Sequence, residues 1–423
     1  MNNSYHDSTK HTYFSVRSSS HHLDWSKMPI PFKIYPDTFS FKKLSLKNIH
    51  DRFIYLIGGV TAKKVYPGVE YYLRTVPSAG ALYPIEIYFQ ARGVDGFEDG
   101  IYHFSPTQNG VRLLYRLKEN EGIEYHFFDK REIEGFIFLF SAVYYRSSWK
   151  YSNRAFRYTL LDCGHVLGAL EAGSYLYNHA YFIIYNFDKK ILNEKFGFKN
   201  QEFFLSAARV GTPRNKKVKF FDLDLEFVDP TLNFQKNEMI EKSYINTLEL
   251  NGCKIEYRFN KFNFNKDRFY ETIINRRSIR EFLKEPIKKE EFESIYNTLI
   301  QLISSDCDEE INIYYFINRV KDMEKGVYKN QKILKRGDFS SKAKFLCLEQ
   351  ALGGDSAVTF FLTSNKNNYQ PLCQKAGIIG HRCYLASEYL QIGCSGIGAY
   401  YDDDVKNFLN SNDLILYTLA VGR

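Results

Sequence analysis

The sequence has no Cys-x-x-Cys pair, no cluster of basic residues and no long apolar run, and each absence closes off a class of function. Its seven cysteines (163, 253, 307, 347, 373, 383 and 394) cannot all pair, so buried free thiols in a reducing compartment are expected, with no disulfide framework and no metal site. The longest apolar stretch, Gly135 to Tyr145, is about half of what a membrane span requires. The polar start, Met1 to Phe14, lacks the apolar core of a signal peptide, which places the protein in the cytoplasm. A net charge of +8 spread over 423 residues without a basic block argues against nucleic acid or a membrane surface as partner. His21 and His22 follow a serine run with no carboxylate or thiol clustered nearby, and read as a solvated loop.

Proline (11) and methionine (4) are scarce beside 33 Tyr and 36 Phe, so part of the 17% aromatic share is assigned to composition. Hydrophobic and charged shares of 44% and 25% are those of a globular protein, and the length predicts more than one domain. A repeat supplies the division. Ile85-Glu-Ile-Tyr-Phe89 and then Gly100-Ile-Tyr102 are echoed by Ile311-Asn-Ile-Tyr-Tyr-Phe316 and Gly326-Val-Tyr328. A second apolar strand follows in each half, Gly135 to Val143 and Ser356 to Leu362. Next comes a helix opened by Gly164-His165 or Gly380-His381, the histidines being structural, and then a short strand ending in Val210-Gly211 or Val421-Gly422. Four landmarks in one order predict two copies of an α+β unit, residues 1–225 and 262–423, each a sheet covered by helices. The polar segment 226–261, strand-like at Lys254 to Arg258, bridges them. Phe292, Ile295 and Leu299 have helical spacing within Lys288 to Leu299.

The copies differ where chemistry is expected. The first has Arg74-Thr-Val-Pro-Ser-Ala-Gly-Ala-Leu-Tyr-Pro84, whose Pro77, Ser78, Ala79 and Gly80 form a small-residue turn that lets backbone N–H groups approach a flat or anionic ligand. An ordinary turn is the plain alternative. The second copy has Ser304 to Glu310 there, but adds Arg276-Arg277-Ser278-Ile-Arg280, three guanidinium groups and a hydroxyl suited to a phosphate or to a solvated basic turn. It also carries Gly393-Cys-Ser-Gly-Ile-Gly398, which is not a dinucleotide fingerprint because it follows a helix. Between its second strand and its helix the first copy is about ten residues longer. That surplus contains Trp149, Lys150, Tyr151, Arg157 and Tyr158. Lys and Tyr have ordinary pKa values of about 10.4 and about 10, and an ammonium beside a phenol lowers the phenol's, so Lys150-Tyr151 reads as a proton-transfer pair or as a basic aromatic turn. Neighbours on a regular strand face opposite ways, so a shared site needs an irregular segment.

Taken with Tyr5 to Thr12, Leu23-Asp-Trp25, Pro31 to Pro36 and Gly396 to Asp402, these motifs resemble the flavin-dependent nitroreductase superfamily, and within it the SagB-type, or thiazole/oxazole-forming, dehydrogenase branch. The resemblance implies two tandem nitroreductase-like units, each a central antiparallel-type sheet flanked by helices, forming an intrachain pseudo-dimer with FMN at the seam. It implies that Arg276, Arg277, Ser278, Arg280 and Arg423 hold the phosphate and ribityl chain, and that Ile397 and Gly398 offer N–H groups to the flavin edge. Pro77, Ser78, Ala79, Gly80 and Leu82 would pack on the ring, with Lys150 and Tyr151 catalytic. With the two sets on different copies, one FMN per chain is expected. The implied reaction is oxidation of a thiazoline or oxazoline in a modified precursor peptide, with a cyclodehydratase partner making the ring. An NAD(P)H-dependent nitro or quinone reductase, oxidation of another peptide or small molecule, and a noncatalytic partner of a cyclodehydratase stay open, as does homodimer formation. Tyr83, Trp149, Tyr151, Tyr158, Tyr400 and Tyr401 are the aromatics expected around the flavin and the substrate.

Overall fold

The computed structural model describes residues 2–18, 22–66, 69–219, 222–257 and 262–423. His21 and Arg258, both singled out above, lie outside the described residues. The chain divides into two compact units: a first, Leu23–Asn260 with Ile303–Asp308, and a second, Met1–His22 with Lys261–Leu302 and Glu309–Arg423.

In the first unit the strands are β1 (Phe41–Lys43), β2 (Val60–Tyr66), β3 (Val69–Arg74), β4 (Ile85–Arg92), β5 (Gly100–Ser105), β6 (Gly110–Arg116), β7 (Arg131–Ala142), β8 (Phe182–Ile184) and β9 (Phe203–Lys217). In the second they are β10 (Asn312–Ile317), β11 (Gly326–Lys329), β12 (Lys332–Arg336), β13 (Val358–Ser364), β14 (Gly393–Ile397) and β15 (Leu414–Gly422). The larger sheet runs β1-β6-β5-β4-β7-β9-β8 and the smaller β12-β11-β10-β13-β15-β14, while β2 and β3 form a separate hairpin. Without β1, the two orders correspond strand for strand, and the central pairs are antiparallel in both. The fold is therefore α+β with two tandem copies of one sheet topology. β4, β13 and β15 are buried along their whole length, and β4 takes Glu86, Gln90 and Arg92 into the interior, where Glu86 is paired with Arg146 and Arg92 with Glu124.

Each unit also holds a long helix, Ala155–Leu176 or Tyr369–Tyr389, buried on nearly every side. Such a helix has no amphipathic stripe. Gly164-His165 and Gly380-His381 lie in the middle of these helices and do not open them, because buried residues such as Phe156 and Leu160, or Leu372 and Ala376, carry the helix further upstream. β9 likewise does not end at Gly211 but runs on to Lys217, paired with Arg131 of β7. The helix over 288–299 is found as Lys289–Leu299, with Phe292, Ile295 and Leu299 buried.

Most of the aromatic excess is core. In the first unit Phe89, Phe97, Tyr102, Phe136 and Phe138 touch one another, with Phe89 stacked on Tyr102 at 5.1 Å between centroids. Tyr400, expected near a flavin, belongs to the second unit's core and donates its hydroxyl to the Ile415 carbonyl at 2.7 Å.

Three assignments made from sequence differ from the structure. Cys253 and Cys307 form a disulfide within the first unit; the other five cysteines are buried free thiols. The same segment explains why 303–308 belongs to that unit: Ser305 bridges both Ile183 and Glu256, and the Asp306 carboxylate accepts the N–H groups of Tyr185 and Asn186 at 2.9 Å. Lys254 to Tyr257 is thus no ladder strand; Glu256 makes a single bridge. The opening residues belong to the second unit. His6, fully buried, lies 3.1 Å from the Tyr369 hydroxyl and 3.3 Å from Asp402, whose other oxygen accepts the His11 N–H at 3.0 Å. Among the described residues no helix is long and apolar enough to cross a membrane.

Candidate functional site

The first unit brings together two motifs far apart in sequence. After β3 the chain turns sharply through Pro77–Leu82, with Gly80 at φ +67°, a conformation that disfavours any residue with a Cβ. A Cβ built on Gly80 would lie 2.8 Å from the Tyr151 hydroxyl and 3.4 Å from Lys150 Cδ, so both members of the pair reach the turn. They do so from the last turn of helix Tyr144–Tyr151, which ends where Ser152 takes φ +48°. The Lys150 ammonium lies 5.7 Å from the centre of the Tyr151 ring, and Tyr158 packs edge-on against that ring at 4.6 Å. Trp149 is buried with Leu82 and Tyr145, and its indole N–H donates to the Asp24 carbonyl at 3.1 Å. Trp25 meets it edge-on at 5.4 Å, which gives Leu23-Asp-Trp25 its place in this wall. Leu82 is thus taken up by the wall.

Two groups that sequence reasoning missed hold the turn. Asp162, in the long helix, accepts the Ser78 hydroxyl at 2.5 Å and the Ala79 N–H at 3.2 Å, while Ser78 Oγ accepts the Tyr83 N–H at 2.9 Å. Burial pushes the Asp162 carboxyl up to about 7 against both hydrogen bonds. On the other side Arg146, fully buried, donates to the Tyr83 carbonyl at 3.0 Å and to the Pro230 carbonyl at 2.8 Å, and pairs with Glu86 at 2.6 Å. Burial works to raise the Glu86 carboxyl, but Arg146, His103 and Arg74 outweigh it and bring it down to about 2. An acid at position 162, inside an otherwise apolar run, was a visible signal; Arg146 was not.

In the second unit the helix Lys266–Asn275 delivers the Arg276-Arg277-Ser278 turn. Arg276 is 3% exposed, and its guanidinium lies 5.3 Å from the Tyr384 ring centre. Arg277 folds back onto the carbonyls of Ile274 and Arg276 at 3.0 and 2.7 Å, capping the helix, while Arg280 is exposed. Tyr384 joins the two motifs: its hydroxyl is 2.9 Å from Ser278 Oγ and accepts the Gly396 N–H at 2.6 Å. Gly393 to Ile397 is strand β14, and its glycines answer to neighbours within the unit. A Cβ on Gly393 would meet Ile279 at 2.2 Å, and one on Gly396 the Tyr417 hydroxyl at 1.9 Å. Ile397 is buried in the strand and Gly398 follows it. Arg423 makes a two-pronged pair with Glu291, at 2.7 and 3.1 Å, so its guanidinium is engaged by a carboxylate. Glu388 is raised by burial against the pull of Arg276 and Arg277.

A buried guanidinium, a hydroxyl and an exposed guanidinium just past the end of one helix form a donor set that suits a phosphate through the charge of their side chains. The nitroreductase family model matches residues 273–423, a stretch that contains all of these donors. A "putative nitroreductase" of Methanocaldococcus jannaschii is 36% identical over 97 residues, 22% of this chain and 48% of that relative, so the match spans about half of the relative's length. The crystal structure of a "putative nitroreductase" from Anabaena variabilis superposes on 100% of this chain and 99% of its own with a TM-score of 0.82, at 24% identity. That likeness extends the nitroreductase fold to the whole chain, both units included.

Proposed function

We propose that the protein is an FMN-dependent oxidoreductase that oxidises thiazoline or oxazoline rings in a modified peptide to the aromatic azoles. The observation that carries this reading is the convergence of Lys150 and Tyr151 on Gly80 of the small-residue turn, an arrangement a reductase fed by a nicotinamide would not need. Arg276, Ser278 and Arg280 would take the FMN phosphate and ribityl chain, and the main chain at Ile397 and Gly398 the flavin edge. Pro77 to Gly80 are the small residues that this reading would pack on a flavin ring. Arg277 and Arg423 have lesser parts, since one caps its own helix and the other is paired with Glu291.

Converting an azoline to an azole removes two hydrogens, one as a proton and one with its electron pair. Bound FMN would supply the acceptor for the hydride. Tyr151, as the phenolate, takes the proton from the ring carbon, and the Lys150 ammonium beside its ring favours that charged form. Trp149 and Leu82 wall the apolar side of the pair and keep water away from it. A partner that cyclises the peptide must act first, since the azoline is the substrate.

The test is mass spectrometry of a heterocyclised peptide incubated with the purified protein. Loss of two hydrogens per ring is expected from the wild type and none from Tyr151→Phe, with equal FMN content in both. Unchanged turnover by Tyr151→Phe removes the assignment. One FMN per chain is expected from absorbance, and a colourless protein that cannot be reconstituted with FMN overturns the flavin reading.

A further inference from the structure

Asp162 lies outside every motif that suggested the function, yet it is the group that fixes the turn. We infer that Asp162 is a positioning residue whose ionisation sets the geometry of Pro77–Gly80 and, through it, the affinity for flavin; the second part rests on the reading above.

The hydrogen-bond pattern requires a carboxylate. Ser78 Oγ already accepts the Tyr83 N–H, so its own hydrogen must go to an acceptor, and Asp162 Oδ2 at 2.5 Å is that acceptor. The second oxygen accepts the Ala79 N–H. A proton on Oδ2 makes it a donor, and the Ser78 hydroxyl then has to turn its hydrogen away from Asp162, which exchanges a charge-assisted bond for a weaker neutral one and loosens both ends of the turn. The turn has little slack, since Gly80 sits against Tyr151 and Lys150. Asp162 is buried, and its carboxyl is pushed up to about 7, so both forms are populated near neutrality. Few other charges bear on it. Arg74, from β3, and Tyr83, from the end of the turn, share with it a buried space of about 10 Å³, and Cys163 is its neighbour on the helix. Arg74 is itself brought down only to about 10 by burial, so it stays a cation throughout the range in which Asp162 titrates.

The test uses the full-length protein and two readouts besides turnover. Hydrogen exchange of the peptide containing Ala79, expressed as protection relative to intrinsic rates, is followed from pH 5.5 to 8.5 in the wild type and in Asp162→Asn. Protection in the wild type should rise about tenfold as Asp162 ionises, the size expected of a charge-assisted hydrogen bond. Asp162→Asn should show no such rise. FMN titration of both proteins at the two ends of that range should show the wild-type Kd falling about tenfold more towards high pH than that of the Asn variant, whose own change measures titration of the FMN phosphate. Parallel protection profiles in the two proteins overturn the positioning role. Parallel FMN profiles with divergent exchange overturn the link to flavin. Failure of the wild type to bind FMN at any pH overturns the flavin reading of the function, and the exchange profiles then decide the role of Asp162 alone.

Discussion

Replacing Asp162 by Asn should make the protein relatively more stable as pH rises, which is the reverse of what losing a carboxylate from a salt bridge would do. In the native state burial holds the Asp162 carboxyl at about 7, while in the unfolded chain it titrates near its ordinary value of about 3.9. Between those values the native state keeps a proton that the unfolded state has lost. The slope of stability against pH is set by protons bound unfolded minus native, which is negative here, so stability falls as pH rises toward 7 and levels off above it. At about 1.36 kcal/mol per pH unit, the rise from pH 5 to pH 8 crosses about two units of this window and withdraws about 3 kcal/mol. Asn does not titrate, so the wild-type stability minus that of Asp162→Asn should drop by about 3 kcal/mol between those pH values, other groups cancelling in the difference. Urea unfolding at pH 5, 6, 7 and 8 measures it, with an unchanged m-value showing that only stability has moved. A difference constant to within about 0.5 kcal/mol across that range would refute the claim that the carboxyl is buried and protonated as described.

Gly80→Ala and Gly96→Ala both place a Cβ at positive φ, +67° and +81°, costing about 1–2 kcal/mol each, but only the first puts that carbon against Tyr151, since nothing lies within 4 Å of Gly96. Gly80→Ala should therefore lose at least as much as Gly96→Ala in urea unfolding, with azoline turnover lost only in Gly80→Ala; equal turnover in the two would separate Tyr151 from the turn. Tyr384→Phe removes the hydroxyl shared by Ser278 and the Gly396 N–H, leaving two part-buried groups short of a partner, and should cost about 1–2 kcal/mol of stability and weaken FMN binding. A loss below about 0.5 kcal/mol in urea unfolding would mean that the arginine turn and β14 are held by other contacts.

The parts legible in sequence were those with a period or a repeated order. β4 and β10, β5 and β11, β7 and β13 announced themselves as paired apolar runs, and the sheets follow the same order in both units. Helix ends were misplaced where the helix is buried all round: with no polar face to mark an edge, Gly164 and Gly380 looked like openings when they are interior. The Cys253–Cys307 disulfide was invisible because 303–308 lies within the second copy's sequence yet belongs to the first unit. Of the candidate site, the residues that would touch a ligand came from motifs, whereas Asp162, Arg146 and Tyr384, which hold those motifs, did not. Their partners are main-chain atoms and single hydroxyls far along the chain, and such pairings leave no spacing to read.

The supports also explain why several short motifs occur together in one copy and have no counterparts in the other. Lys33, from Pro31 to Pro36, donates its N–H to Glu86 at 2.9 Å and its ammonium to Glu202 at 2.8 Å. Glu86 in turn meets Arg146, and Arg146 holds the far end of the Pro77–Tyr83 turn that Tyr151 abuts. Two of these links, Lys33 to Glu202 and Arg146 to Glu86, are buried ion pairs, so removing one partner strands the other at a cost of about 3–5 kcal/mol. At the position matching Glu86, second in its strand, the second copy has Asn312, a neutral side chain hydrogen-bonded to Asp413. An arginine placed there as Arg146 is in the first copy would meet the Asn312 amide where the first copy offers Glu86. The two copies share a sheet topology, and the carboxylate that pairs with Arg146 beneath the turn belongs to β4 alone.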